Sequence, residues 1–170
     1  MSDLTIHHAF VDQLVTHARE LDPYECCGFL AGTAQSVNKV YRIKNVVSLE
    51  GAAQAASFDE AKLRHLSRLS PEERAEIAFI MDAQEMFQAV KDIRKNGLTL
   101  QAVYHSHPHD PARPSATDIK IADEWEENWG KLNLTLPLYL LISLMDKSRP
   151  DLRAYWIKAG TVSAAAIVTI

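Results

Sequence analysis

The sequence predicts an α/β (α+β) fold, a mixed β-sheet with flanking helices, and three observations carry that reading. Apolar residues recur at helical spacing in some stretches and alternate or run together in others. The two kinds of stretch interleave along the chain, the arrangement of a sheet with helices packed on it. The 170 residues show no internal repeat and no linker-like tract, so a single domain over 1–170 is expected, with room for a proper core.

From His7 to Leu21, Phe10, Val11, Leu14, Val15, Ala18 and Leu21 fall on one helical face, and Asp22-Pro23 ends the helix. Cys26–Ala31 is short and apolar, and Val37–Val47 alternates around Lys39, Arg42 and Lys44, so two strands are expected. Residues 52–75 differ in texture and read as a helical insertion: a small-residue run, then Phe58, Ala61, Leu63, Leu66 and Leu69 on a modest amphipathic helix, broken at Ser70-Pro71. Ala78-Phe79-Ile80 reads as a strand ending at Asp82. Asp82 and Glu85 form a capping-box pattern for a helix carrying Met86, Phe87, Val90 and Ile93, closed by Gly97. Leu98–Tyr104 is expected as a strand, Thr117–Trp129 as a helix, and Leu136–Leu144, Leu152–Lys158 and Val162–Ile170 as three further strands.

Composition narrows the class of function. Hydrophobic content of 47% with 24% charged residues is ordinary for a globular protein, and no apolar run approaches the roughly 18 residues of a membrane span, so no membrane association is expected. A formal net charge of -4 without a Lys/Arg cluster gives nucleic acid no electrostatic reason to bind. The N-terminus lacks the pattern of a secretory signal, and the two cysteines, Cys26 and Cys27, are adjacent, which suits a reducing compartment. A cytoplasmic protein is expected.

The chemistry concentrates in Tyr104–Asp118, YHSHPHDPARPSATD. On an extended chain His105 and His107 share a face, and Pro108 keeps the preceding residue from helical angles. Two imidazoles from one strand end supply two nitrogen ligands, and Asp118, after ten intervening residues, is placed to supply an oxygen. His109 would join them only if the strand continued, which Pro108, Pro111 and Pro114 oppose. Ser115 and Asp118 equally match a helix N-cap with its acidic partner three residues on. From spacing alone a metal site and a structural loop stand level. A hydrolytic metal site also needs a proton carrier that is not a ligand, and Glu25, between a helix end and an apolar strand, sits where burial raises a carboxyl pKa.

Pro23–Gly32 (PYECCGFLAG), His105–Pro108 (HSHP) and Pro114–Asp118 (PSATD) together resemble the JAMM metalloprotease family, the MPN-plus or Mov34/PAD-1 domain, in its short bacterial branch. The resemblance spans nearly the whole chain and implies a JAB/MPN domain of cytidine-deaminase-like architecture. It implies that His105, His107 and Asp118 hold one Zn2+, that Glu25 acts as general base and then acid, and that Ser115 hydrogen-bonds the oxyanion. The implied substrate is a ubiquitin-fold, sulfur-carrier-like protein cut after its Gly-Gly end; removal of ubiquitin-like conjugates, or a non-catalytic MPN scaffold, are the alternatives, and a homo-oligomer is left open. Two stretches depart from the short bacterial pattern: residues 52–75, and the acidic Asp123–Trp129 segment with Trp125 and Trp129, read as helical extensions whose tryptophans cover core. Cys27 shares the face of Glu25, and a buried, inert thiol is the favoured reading over a redox-sensitive inhibitor.

Overall fold

The computed structural model describes residues 3–170; Met1 and Ser2, part of the N-terminal stretch read above, lie outside them. In chain order the elements are β1 (Leu4–Ile6), α1 (His8–Leu21), β2 (Cys27–Thr33), β3 (Ser36–Ile43), α2 (Ala52–Ala56), α3 (Glu60–Ser67), α4 (Pro71–Ala75), α5 (Ala83–Lys95), β4 (Thr99–His107), α6 (Ala116–Lys131), β5 (Leu138–Ser143), β6 (Asp151–Lys158), β7 (Thr161–Ala165) and β8 (Ile167–Thr169).

All eight strands form one mixed sheet in the order β7-β6-β5-β4-β2-β3-β1-β8. β4 is central: it runs antiparallel to β2, with Cys27 opposite His105, and parallel to β5, with His107 beside Ser143. β7 and β8 occupy opposite ends of that order although only Ala166 separates them in sequence. One continuous segment therefore spans both edges, the sheet curls round on itself, and the Ala166 carbonyl accepts from Leu4 N.

Side chains alternate across β2, β4 and β5 and fill two cores. Leu30, Tyr104, Leu140 and Ile142 pack with Leu14 and Ala18 of α1 on one face. Phe29, Leu100, Val103 and Tyr139 pack with Val90 and Ile93 of α5 and Trp129 of α6 on the other. With neighbours on both faces, β2, β4 and β5 read as near-continuous apolar runs.

The sheet and its flanking helices are the predicted class, and several boundaries move. Residues 52–75 form three short helices, not one, because Asp59 and Ser70 each start a new helix: Asp59 accepts from Lys62 N, and Ser70 makes a full capping box with Glu73. Leu66 is fully buried there in a third cluster with Val47, Phe58 and Ala78. Ala78–Ile80 is not a strand. The Asn45 side chain takes the partners a ladder would need, accepting from Ile80 N and donating to Ala78 O, and leaves only an isolated bridge from Asn45 to Met81. The same residue ends β3 at Ile43, short of the expected Val47. Asp82 caps α5 by accepting from Glu85 N, yet the Glu85 carboxylate accepts from Lys44 N, so only half the expected capping box exists. The predicted strand 162–170 divides into β7 and β8, and β1 is an addition, too short to show a period.

Candidate metal centre

β4 runs on through His105, Ser106 and His107, three residues beyond the expected Tyr104, because β2 pairs with it as far as His105 and β5 as far as His107. Alternation puts His105 and His107 on one face, 2% and 6% exposed, and the fully buried Ser106 on the other. Ser106 ties β4 to the start of β2, its Oγ accepting from Cys26 N at 2.8 Å and its N donating to Cys26 O at 2.9 Å. The register that sets Cys27 opposite His105 thereby carries on to bring Glu25 alongside His107.

Glu25 is 6% exposed. Its backbone is held by segments far away in sequence: its N donates to Ala75 O at 2.7 Å, and its carbonyl accepts from the Asn45 side chain at 3.1 Å. Burial pushes the Glu25 carboxyl well above the carboxylate range; the nearby His107 opposes that shift and Asp118 reinforces it.

After His107 the chain turns through Pro108, Pro111 and Pro114, and α6 begins at Ser115. Ser115 Oγ accepts from Asp118 N at 3.1 Å and Asp118 Oδ2 accepts from Ser115 N at 2.7 Å, a complete capping box. The same Asp118 carboxylate reaches the histidines, with Oδ1 3.3 Å from His105 Nε2 and Oδ2 3.3 Å from His107 Nε2. Capping and convergence are thus one arrangement. The cap aims the carboxylate back across the loop.

The donor atoms of His105, His107 and Asp118 lie within 4.8 Å of one another. The two Nε2 atoms are 3.0 Å apart. A tetrahedral ion at about 2.0–2.1 Å from its ligands separates them by roughly 3.3 Å, so the trio fits such an ion with little adjustment. His107 Nδ1 lies 2.9 Å from Pro111 O, which can only accept; Nδ1 therefore carries a proton and Nε2 is the ring nitrogen that faces the centre. Burial disfavours the His107 imidazolium, but its hydrogen bond to Asp118 and the charges of Glu25 and Asp118 outweigh it and raise the pKa to about 9. Burial likewise opposes charge on Asp118, yet His105 and His107 hold its pKa well below the carboxylate range.

Glu25, His107, Ser115 and Asp118 line one cavity of about 420 Å3. His109 lies elsewhere: it is exposed, with Nε2 3.2 Å from a Glu76 carboxylate oxygen. Both cysteines are buried and outside the donor group; Cys27 Sγ donates to Ile43 O, and burial raises both thiols, Cys26 to about 12. Trp129 is 3% exposed and edge-on to Phe29, and Trp125 lies over it at 4.9 Å, while Asp123 and Glu126 accept from Gly160 and Ala159 N in the β6–β7 turn.

Two site residues escaped the sequence reading. Phe79 stacks on His105 with ring centroids 4.6 Å apart, and Asn45 braces both Glu25 and the segment that carries Phe79. Phe79 stands in a weak apolar triplet, and Asn45 is a lone amide after a strand. Neither has a local pattern that could have flagged it.

A curled mixed sheet whose polar cluster sits at the end of its central strand, against a helix cap, has the form of a JAB-type domain. The sequence pattern of the prokaryotic homologs of the JAB domain matches residues 7–158, and the chain belongs to that family, the bacterial JAMM/MPN branch. It is 28% identical over 160 residues to the CysO-cysteine peptidase of Mycobacterium tuberculosis, covering 94% of this chain and 86% of that one. A shorter stretch of 45 residues is 47% identical to a probable TtuB-protein conjugate cleaving protease of Thermus thermophilus, covering 26% of this chain and 30% of the relative. Among solved structures, protein DSY2949 of Desulfitobacterium hafniense superposes with a TM-score of 0.68 at 28% identity, covering 98% of this chain and 92% of that one. No helix among the described residues is long and apolar enough to cross a membrane.

Proposed function

We propose that the chain is a zinc-dependent metallopeptidase of the JAMM type, cutting a peptide or isopeptide bond after the Gly-Gly end of a ubiquitin-fold, sulfur-carrier-like protein. The observation that carries this reading is the convergence of the His105, His107 and Asp118 donor atoms, with the buried Glu25 lining the same cavity as His107 and Asp118. The names of the two relatives, a peptidase and a conjugate-cleaving protease, support hydrolysis of this kind. The reading takes 1–170 as one domain with 52–75 as its insertion, one Zn2+ per chain held by His105, His107 and Asp118, and a cytoplasmic setting. A scaffold that had lost its chemistry would have no use for a complete donor set with a buried carboxyl beside it.

When bound, zinc would acidify a water and polarise the scissile carbonyl. Glu25 takes the proton from the attacking water and returns it to the leaving amine. A raised pKa suits both halves of that task, since the group must accept and release one proton near neutral pH. Ser115 Oγ accepts the Asp118 N–H and keeps its own O–H to donate to the developing oxyanion. The Pro111 carbonyl and the Phe79 ring hold the two imidazoles in place.

Metal analysis of the purified protein, with cleavage of a Gly-Gly carrier bearing a short C-terminal extension before and after chelation, tests the reading. About one zinc per chain and chelator-sensitive release of the extension are expected. Cleavage that survives complete removal of metal would refute it.

A further inference from the structure

A second cavity, about 630 Å3 and larger than the one at the metal centre, lies among the end of α1, the end of β3 and the starts of α4 and α5. None of His105, His107 and Asp118 lines it. Its α1 wall, with His17 and Leu21, belongs to the helix packed on the face of Tyr104, opposite the face of the two donor histidines. Glu25 borders this cavity too, but its carboxyl belongs to the other side, where His107 and Asp118 act on it.

The polar end of the cavity is built across three strands. Arg42, Gly28 and Tyr104 stand in register on β3, β2 and β4, so Arg42 and Tyr104 share a face with only a glycine between them. The Tyr104 side chain leans into that gap, its hydroxyl 2.6 Å from where a Gly28 Cβ would stand. The hydroxyl thus lies over β2, one strand spacing of about 4.8 Å from β3 and Arg42. There His17 Nδ1 meets it at 2.8 Å. Tyr104 is fully buried, and among the described residues its hydroxyl has no other partner, so the O–H donates to Nδ1. Burial first, then the Arg42 charge, lowers the His17 pKa to about 4; the ring is neutral and its one proton sits on Nε2. His17 is 5% exposed, and among the described residues Nε2 has no hydrogen-bond partner. A buried N–H is left for whatever fills the cavity that His17 lines.

Arg42 gives one nitrogen to Glu20, Nη1 to Oε2 at 2.6 Å, and the rest of its guanidinium has no partner among the described residues. The Lys44 ammonium has none either. Glu72 and Glu85 bring two carboxylates to the same cavity, Glu85 Oε2 accepting from Lys44 N at 2.7 Å. Two cations and two anions suit a ligand that carries both signs better than a plain anion such as phosphate. We propose that this cavity binds a small zwitterion, a free amino acid or a short peptide, separately from the metal centre. Its carboxylate takes Arg42 and the His17 Nε2–H, and its ammonium faces Glu72 and Glu85. Glu20, whose carboxylate already sits on Arg42, is the ligand's competitor.

Calorimetry of the purified protein with alanylalanine, its C-terminal amide, its N-acetyl derivative and free alanine tests the site. The amide should bind about tenfold more weakly than the dipeptide and the N-acetyl form about threefold more weakly. Alanine binding as tightly as the dipeptide marks an amino-acid site and weaker binding a peptide site; both uphold the proposal. Arg42→Ala should weaken the dipeptide about tenfold, whereas Glu20→Gln, which frees the guanidinium, should strengthen it by roughly threefold. Both positions are exposed, so neither variant disturbs the core, and the gain in Glu20→Gln is one that damage to the fold cannot imitate. The His17 ring resonances should shift along the same saturation curve. No saturable heat with either zwitterion, equal binding of the amide, undiminished binding in Arg42→Ala, or no gain in Glu20→Gln overturns the site. None of these measurements involves cleavage, so their failure leaves the hydrolase reading where it stood.

Discussion

Glu25, just ahead of β2, and His107, at the end of β4, are neighbours, yet the proposed chemistry gives them separable duties, and substitution should part them. Glu25→Gln keeps the volume and the backbone bonds to Ala75 O and Asn45, removing only the titratable oxygen. Its zinc content should match the wild type while kcat falls by roughly 10²–10⁴-fold, the usual worth of a positioned acid or base. His107→Ala removes a donor and should lose zinc and activity together. A Gln variant that turns over normally would show that another group carries the proton. The site's residue types were legible because each leaves a local mark: two histidines one residue apart before a proline, a Ser-x-x-Asp cap, a glutamate heading an apolar run. What could not be read was the bracing. Phe79 under His105 and Asn45 behind Glu25 act through contacts between residues distant in sequence, and no period or spacing encodes those.

At the scale of elements, the β2–β4 pair sets the site, since its register alone brings Glu25 beside His107. Gly28 is what lets that pair close. A Cβ there would lie 2.6 Å from the Tyr104 ring and hydroxyl and would also strike the Tyr41 carbonyl on β3. Tyr104 cannot withdraw, being fully buried with its hydroxyl 2.8 Å from His17 Nδ1. Gly28→Ala is therefore expected to cost about 1–3 kcal/mol through overpacking and to lower Tm by roughly 3–10 °C in a thermal melt. An unchanged Tm would mean that β2 and β4 can separate without penalty, against the register argument. The elements read correctly from sequence are those with a full period and a punctuating residue: α1 before Asp22-Pro23, α5 from Asp82 to Gly97, β4 before the prolines. The misread ones answer to partners elsewhere. Asn45 intercepts the hydrogen bonds that would make 78–80 a strand, and residues 161–169 divide because they serve two edges of the sheet.

For the whole molecule, the question is how far the fold depends on the ion it is proposed to hold. Small metal domains collapse without their metal because little else holds them together. Here two apolar cores flank the sheet, a third underlies the 52–75 helices, and the donors ride on a strand and a helix cap that are complete in hydrogen bonds without an ion. The Asp118 carboxylate oxygens stand 3.3 Å from His105 Nε2 and His107 Nε2, which limits the penalty of holding the three groups together. Chelation should therefore abolish cleavage while leaving the far-UV circular dichroism unchanged. Stability should drop only by the binding linkage, about 2.7 kcal/mol at a hundredfold excess of metal over Kd, or some 5–10 °C in Tm for a chain of this size. If chelation instead melts the secondary structure, the centre organises the sheet, and the cores described here are too weak to stand without it.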